Sequence, residues 1–180
     1  MVSRFMRVSR LFSAAVVAVI TAGSVLTTAS PAAATPVDQT CVGTWAVTYD
    51  PPITNTTQTV NATLTGFFPT CTDVVAFNAS YVQTFTDTVS CATLLTAGAA
   101  TRTFIWGNPL AAPTTFAYNW TVTDLAGQVV VTNAGVITNG RYTPDSAVQV
   151  ATLVTPNALD CAGSGIPSLT GPTTLTIYHP

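Results

Sequence analysis

Hydrophobic and polar residues alternate with a period of two along most of the chain, which is the pattern of strands with one buried face. In residues 41–50, Cys41, Gly43, Trp45, Val47 and Tyr49 fall on one side and Val42, Thr44, Ala46, Thr48 and Asp50 on the other. This is the expected first strand, with Pro51-Pro52 stopping it. A second strand follows, with Val60, Ala62, Leu64, Gly66 and Phe68 in phase. A third places Val75, Phe77, Ala79, Tyr81, Phe85, Val89 and Cys91 on one face, interrupted by Gln83 and Asp87. A bulge or bend near Thr84 would account for the interruption, because a one-residue slip exchanges the two faces of a strand.

Residues 92–100 are small and hold a turn of helix at most, and 101–106 return to the strand pattern. Gly107-Asn108-Pro109 breaks it. Phe116, Tyr118, Trp120 and Val122 then form the cleanest apolar stripe in the chain, hairpinned to 101–106. Further strands are expected over 128–138, ended by Asn139-Gly140, over 147–154, and over 173–178, with Cys161 in a Gly/Pro-rich loop. No long segment has a helical period. The expected fold is all-β, an antiparallel two-sheet sandwich of seven to nine strands with immunoglobulin-like architecture.

Ahead of this pattern lies a different one. Arg4, Arg7 and Arg10 precede an apolar run over 11–26, and Ala32-Ala33-Ala34 follows as a small-residue cleavage site. That order reads as a secretory signal peptide over residues 1–34, leaving 35–180 as a single exported domain. About 145 residues suffice for one core. The four cysteines of an exported chain then read as two disulfides. Cys41 opens one strand and Cys71 follows its hairpin partner, in the turn over 69–73, so Cys41–Cys71 with Cys91–Cys161 is the preferred pairing. Scattered spacing and a single histidine, His179, argue against zinc, and no metal or cofactor is expected.

Charge narrows the partners. From residue 35 onward only Arg102 and Arg141 oppose seven aspartates, and the chain has no Lys and no Glu. Nucleic acid and anionic lipid are held chiefly by clustered Lys and Arg, so neither is expected, and no membrane association is expected once the signal is removed. Thr, Asn, Gln and Ser must keep the outer surface wet. An extracellular polysaccharide or protein is the expected partner; oligomeric state is not specified by the pattern.

Several residues carry a further resemblance: Cys41, Gly43, Thr44, Tyr49 and Pro51 near the start, Ser90-Cys91 at mid-chain, and Ser-Leu-x-Gly-Pro-x-Thr-Leu-Thr over 168–176. In these the chain resembles a group of small secreted bacterial β-proteins of unassigned function. The resemblance covers most of 35–180 and implies an exported β-domain; it transfers no activity and no site residue.

Catalytic chemistry has little to work with. The usual base for a serine or cysteine nucleophile is His, and His179 is next to last, so no catalytic residue is assigned. Five of the seven aspartates stand beside Pro, Gly or strand ends, where Asp caps turns. An Asp-based glycosidase-like hydrolase remains the alternative, and a secreted inhibitor or toxin a further one. Among the aromatics, Trp45, Tyr49, Tyr118 and Trp120 are expected in the core. Trp106 beside Gly107 and Tyr142 beside Arg141 are expected to be exposed, and are the candidate binding residues of a non-catalytic protein that acts by surface recognition.

Overall fold

The computed structural model describes residues 36–179, apart from 95, 126–127 and 155–157. Residues 1–34, read above as a signal peptide, lie outside the described residues. Eight antiparallel strands follow one another around a closed barrel. They are β1 (Val37–Ile53), β2 (Gln58–Cys71), β3 (Ala79–Val89), β4 (Gly98–Trp106), β5 (Thr114–Leu125), β6 (Gln128–Asn139), β7 (Ser146–Val154) and β8 (Ile166–Tyr178). A single 3-10 turn, Cys91–Thr93, follows β3, and a short helix α1, Ala158–Ala162, precedes β8.

The fold is therefore a barrel and not the expected two-sheet, immunoglobulin-like sandwich. What closes it is β8, which pairs with β7 from Ser146↔Tyr178 to Ala151↔Thr173 and with β1 from Val37↔Tyr178 to Ile53↔Ile166. Strand periodicity is the same in a sandwich and a barrel, since both bury alternate residues. Only the long-range pairing of first and last strand distinguishes them. β8 is also longer than its expected 173–178, because Ser168, Leu169 and Thr170 find partners in β1.

Other expectations are corrected locally. Pro51-Pro52 does not stop β1, which runs on to Ile53. The prolines sit in the interval between Thr48 and Ile53 where the ladder to β8 is interrupted, so their missing N–H groups cost no ladder bond there. β3 contains no bulge near Thr84: its register against β2 is unbroken from Gln58↔Val89 to Phe68↔Ala79. Val75 and Phe77 precede β3 in a loop, and Cys161 lies on α1.

Two disulfides, Cys41–Cys71 and Cys91–Cys161, form the preferred pairing. The first joins directly opposed residues of β1 and β2. The second links the β3–β4 connection to α1.

The inward phase of the strands fills the barrel unevenly. In one half, Phe68, Tyr81, Phe104, Trp106, Phe116 and Tyr118 pack ring against ring, with Phe104 5.4–6.3 Å from four neighbouring ring centres. This end is closed by the β2–β3, β4–β5 and β6–β7 connections. In the other half β3 and β4 diverge, pairing only at Ala79↔Trp106 and Ser80↔Ile105, and the interior is hollow.

Candidate functional site in the barrel interior

The hollow half encloses a cavity of about 690 Å³. Tyr49 of β1, Phe85 of β3, Trp120 and Val122 of β5, Val131 of β6 and Leu153 of β7 supply much of its wall. Its size and apolar lining match those of sites that enclose small organic ligands. Two glycines make room for aromatic rings of the neighbouring strand. A Cβ on Gly98 would come within 2.3 Å of the Trp120 ring, and one on Gly66 within 2.2 Å of the Tyr81 ring. Trp120, which lines the cavity, thus lies over its β4 partner Gly98, and Tyr81, at the packed side, over its β2 partner Gly66.

The cavity also explains Gln83 and Asp87. They keep the inward phase of β3 and border the hollow, where a polar side chain need not displace a packed core residue. Asp87 and Asp124 stand exposed at the open end. Burial and the nearby Asp87 carboxylate push the Tyr49 phenol up to about 12, so it is protonated and neutral on the cavity wall.

At the floor, where hollow meets packed core, lies Arg102, which is buried with 5% of its surface exposed. Its guanidinium carbon is 4.4 Å from the ring centres of both Tyr81 and Tyr118. One terminal nitrogen donates to Tyr81 Oη at 2.8 Å and to Gln149 Oε1, and the other donates to Tyr118 Oη. Gln149 Nε2 in turn donates to Tyr81 Oη at 3.0 Å and to Thr173 Oγ1 at 3.2 Å. Burial pushes the Tyr81 phenol up, keeping it neutral. All of these partners are uncharged, and among the described residues no carboxylate lies within ion-pair distance of Arg102.

Three buried donors here have no hydrogen-bond partner among the described residues: Arg102 Nε, Asn133 Nδ2 and Trp45 Nε1. All three residues line the cavity. Gln83 Oε1 is a fourth buried polar atom without a partner.

Trp106 and Tyr142, the candidate binding residues, are placed elsewhere. Trp106 is only 4% exposed and donates to Thr114 Oγ1 at 2.9 Å, which corrects the expectation that it is exposed. Tyr142 is half-buried, with its ring centre 5.5 Å from that of Trp106. Neighbouring turn residues suggested exposure, but the turns fold across the closed end and carry these rings into its plug. Tyr142 adopts φ = +69°, a sparsely populated conformation for a non-glycine residue. It is held there by donating to Asp73 Oδ2 at 2.7 Å and accepting from Gln39 Nε2 at 3.1 Å.

Asp73 organises that plug. Burial acts to raise its carboxyl, but hydrogen bonds from Arg141, Tyr142 and the Val75 and Ala76 amides outweigh burial and hold it well below the ordinary carboxylate range. A folded-state value below the unfolded one means stability that is present above the ordinary Asp pKa of about 3.9 and lost as pH falls below it. Asp73→Asn should cost about 1–2 kcal/mol at pH 7, after allowance for the partial exposure of Arg141, and should flatten the stability profile below pH 4. Urea midpoints at pH 7 and pH 3 check this; parallel acid losses in both proteins would count against it.

A second polar group at this end was not anticipated. His179 Nδ1 lies 3.2 Å from Asp38 Oδ2 and 3.9 Å from Asp145 Oδ1, and the His179 amide donates to the Pro36 carbonyl at 3.0 Å. The histidine is exposed, as a tail residue should be, but it is tied down. Burial, with Asp38 alongside, pushes the Asp145 carboxyl up, the opposite sense to Asp73. Its ligand atoms, with those of Asp38 and His179, fall within 4.8 Å of one another. Residues so far apart in sequence give no spacing signal.

The cavity floor did leave a signal in the sequence. Arg102 is in phase with Phe104 and Trp106, Asn133 with Val129 and Val131, and Gln149 with Ala147 and Ala151. Polar residues on the buried phase of three strands mark a shared interior site. No family model, curated protein or solved structure matches the chain.

Proposed function

We propose that this is an exported, non-catalytic carrier or scavenger that binds a small, largely apolar molecule inside its barrel. The observation that carries the reading is the cavity of about 690 Å³ with aromatic and aliphatic walls. Eight strands give an interior wide enough for one small ligand once part of the lumen is left unfilled. The outward phase supports a barrel that works in water: Thr59, Asn61, Thr63 and Thr65 on β2 and Asn119, Thr121 and Thr123 on β5 face out. A lipid-spanning barrel instead carries a continuous apolar band between aromatic girdles. The basic, apolar and small-residue order of residues 1–34 and the two disulfides support export.

Surface recognition of a polysaccharide or protein is the second reading. Burial of Trp106 takes away one of the aromatics offered for it. Exposed Phe67 and Ile105, in register on either side of Ser80, speak for an outer apolar patch. The hydrolase alternative draws on Asp87 and Asp124, which share the cavity mouth but stand exposed at its rim. Among the described residues, both carboxylates are solvent-exposed and not enclosed by the cavity wall.

The test is fluorescence titration of the oxidised domain with the neutral apolar probe N-phenyl-1-naphthylamine. Saturable enhancement is expected, and Ala100→Phe, which projects a ring from β4 into the cavity, should weaken it by about tenfold or more. Binding unaffected by Ala100→Phe would transfer the site to the outer surface. No saturable binding would remove the interior reading altogether.

A further inference from the structure

The proposed interior site says nothing yet about the polar end of its ligand, and the cavity floor does. Arg102 is a buried cation whose partners among the described residues are all neutral. A guanidinium removed from water is stabilised best by a carboxylate with matching geometry, and proteins bury one without such a partner only where something else supplies the charge. The hydroxyl oxygens of Tyr81 and Tyr118 and Oε1 of Gln149 accept from its terminal nitrogens, and the two tyrosine rings flank its guanidinium carbon. They leave Nε unpaired and the positive charge uncompensated.

The other unpaired donors are placed nearby by strand register. Asn133 is directly opposite Gln149, the residue that accepts from Arg102. Trp45 and Tyr81 both pair with Gly66, from β1 and β3 respectively, and Tyr81 also accepts from Arg102. Arg102, Asn133 and Trp45 are each more than nine-tenths buried, and all three line the same cavity. Three unpaired N–H groups, one of them on the cation itself, match a group that accepts hydrogen bonds and carries negative charge; the one unpaired acceptor, Gln83 Oε1, belongs to the next inward residue of β3 after Tyr81.

We infer that the cavity takes an amphiphilic monocarboxylic acid, its carboxylate held at Arg102 with Asn133 and Trp45 as further donors, and its apolar body along the hollow towards the mouth. The inference rests on the interior-binding reading and adds the chemical class of the ligand. One uncompensated positive charge matches one carboxylate. The apolar wall between floor and mouth matches an alkyl or ring system rather than a second polar end. The acids at the rim, Asp87 and Asp124, are solvent-exposed, and their repulsion on an approaching carboxylate is screened by salt.

Competition against bound N-phenyl-1-naphthylamine tests this with three probes of equal chain length: dodecanoic acid, dodecanol and dodecylamine, at pH 7.5. The acid should compete at least tenfold more strongly than the alcohol, and the amine least well. In Arg102→Gln the ratio of acid to alcohol should fall towards one. Trp45→Phe keeps an aromatic side chain while removing the N–H together with the pyrrole part of the indole, so it serves if Arg102→Gln does not fold; the volume it frees is open to acid and alcohol alike, and loss of the N–H should lower the ratio between them by a few-fold. If Arg102 is merely structural, Arg102→Gln would lose stability with the ratio unchanged, and the inference fails. Equal competition by acid and alcohol, or preference for the amine, would overturn the head-group assignment while leaving the interior site intact. Failure of the naphthylamine itself to bind would remove both.

Discussion

Replacing Cys91 and Cys161 together by alanine should lower the unfolding free energy by about 4 kcal/mol, the chain-entropy value for a closed loop of this size. The bridge joins two connections at the mouth, the one that follows β3 and the one that holds α1. Around it the Cys91 amide donates to the Thr54 carbonyl and the Asn55 amide to the Cys161 carbonyl. Ile53, Val60 and Ile166 pack beside it as a small separate core. Cys41–Cys71 closes a shorter loop between residues already paired across β1 and β2. Its removal should cost less, because the hairpin restricts the same ends. Melting of the two double variants under oxidising conditions gives the comparison. A fall of roughly 10 °C or more is expected for Cys91→Ala/Cys161→Ala. A larger loss from Cys41→Ala/Cys71→Ala would show that the mouth is held by something other than its bridge. Bound naphthylamine should also leave the Cys91→Ala/Cys161→Ala variant faster, since Cys91 and Cys161 both border the cavity.

Phe104→Ala should cost about 3–5 kcal/mol, the range for deleting a fully buried aromatic ring. Phe104 has no exposed surface and stands between Phe68, Tyr81, Trp106 and Phe116. Its neighbours belong to β2, β3, β4 and β5, each fixed by its own ladder, so they cannot collapse into the void. Phe85→Ala provides the contrast: that ring is 42% exposed at the cavity wall, and its loss should cost well under half as much. Urea unfolding of both variants measures the difference. Similar losses would mean that the hollow half is packed as tightly as the closed half. The comparison therefore also tests the uneven filling on which the binding site depends.

How far the sequence carried can be judged from particular residues. The alternation in β1, β2 and β5 identified which side chains are inward, down to Trp45, Leu64 and Phe116. The disulfide pairing followed from Cys41 and Cys71 flanking one hairpin. Gln83 and Asp87 were the instructive failure. On a strand facing a packed core they would have to slip out of phase, and a bulge was the natural inference; facing a hollow, they stay where the period puts them. Trp106 and Tyr142 failed for a related reason. A turn residue is exposed when its turn projects into solvent, but the β4–β5 and β6–β7 connections fold over the barrel end, where Asp73 and Gln39 bind the Tyr142 hydroxyl and Arg141 binds Asp73.

By itself the sequence determined the local facts: which residues alternate, which two cysteines flank one hairpin, and that almost no charge is available. These follow from interactions between near neighbours along the chain, which a two-residue period records directly. Tertiary structure alone decided that β8 returns to β1, that the lumen is packed at one end and hollow at the other, and that Arg102 meets Tyr81, Tyr118 and Gln149 without a carboxylate. Those depend on strand register around a closed ring, where residues of β3, β4, β5 and β7 meet in the interior. No single strand's pattern contains that sum.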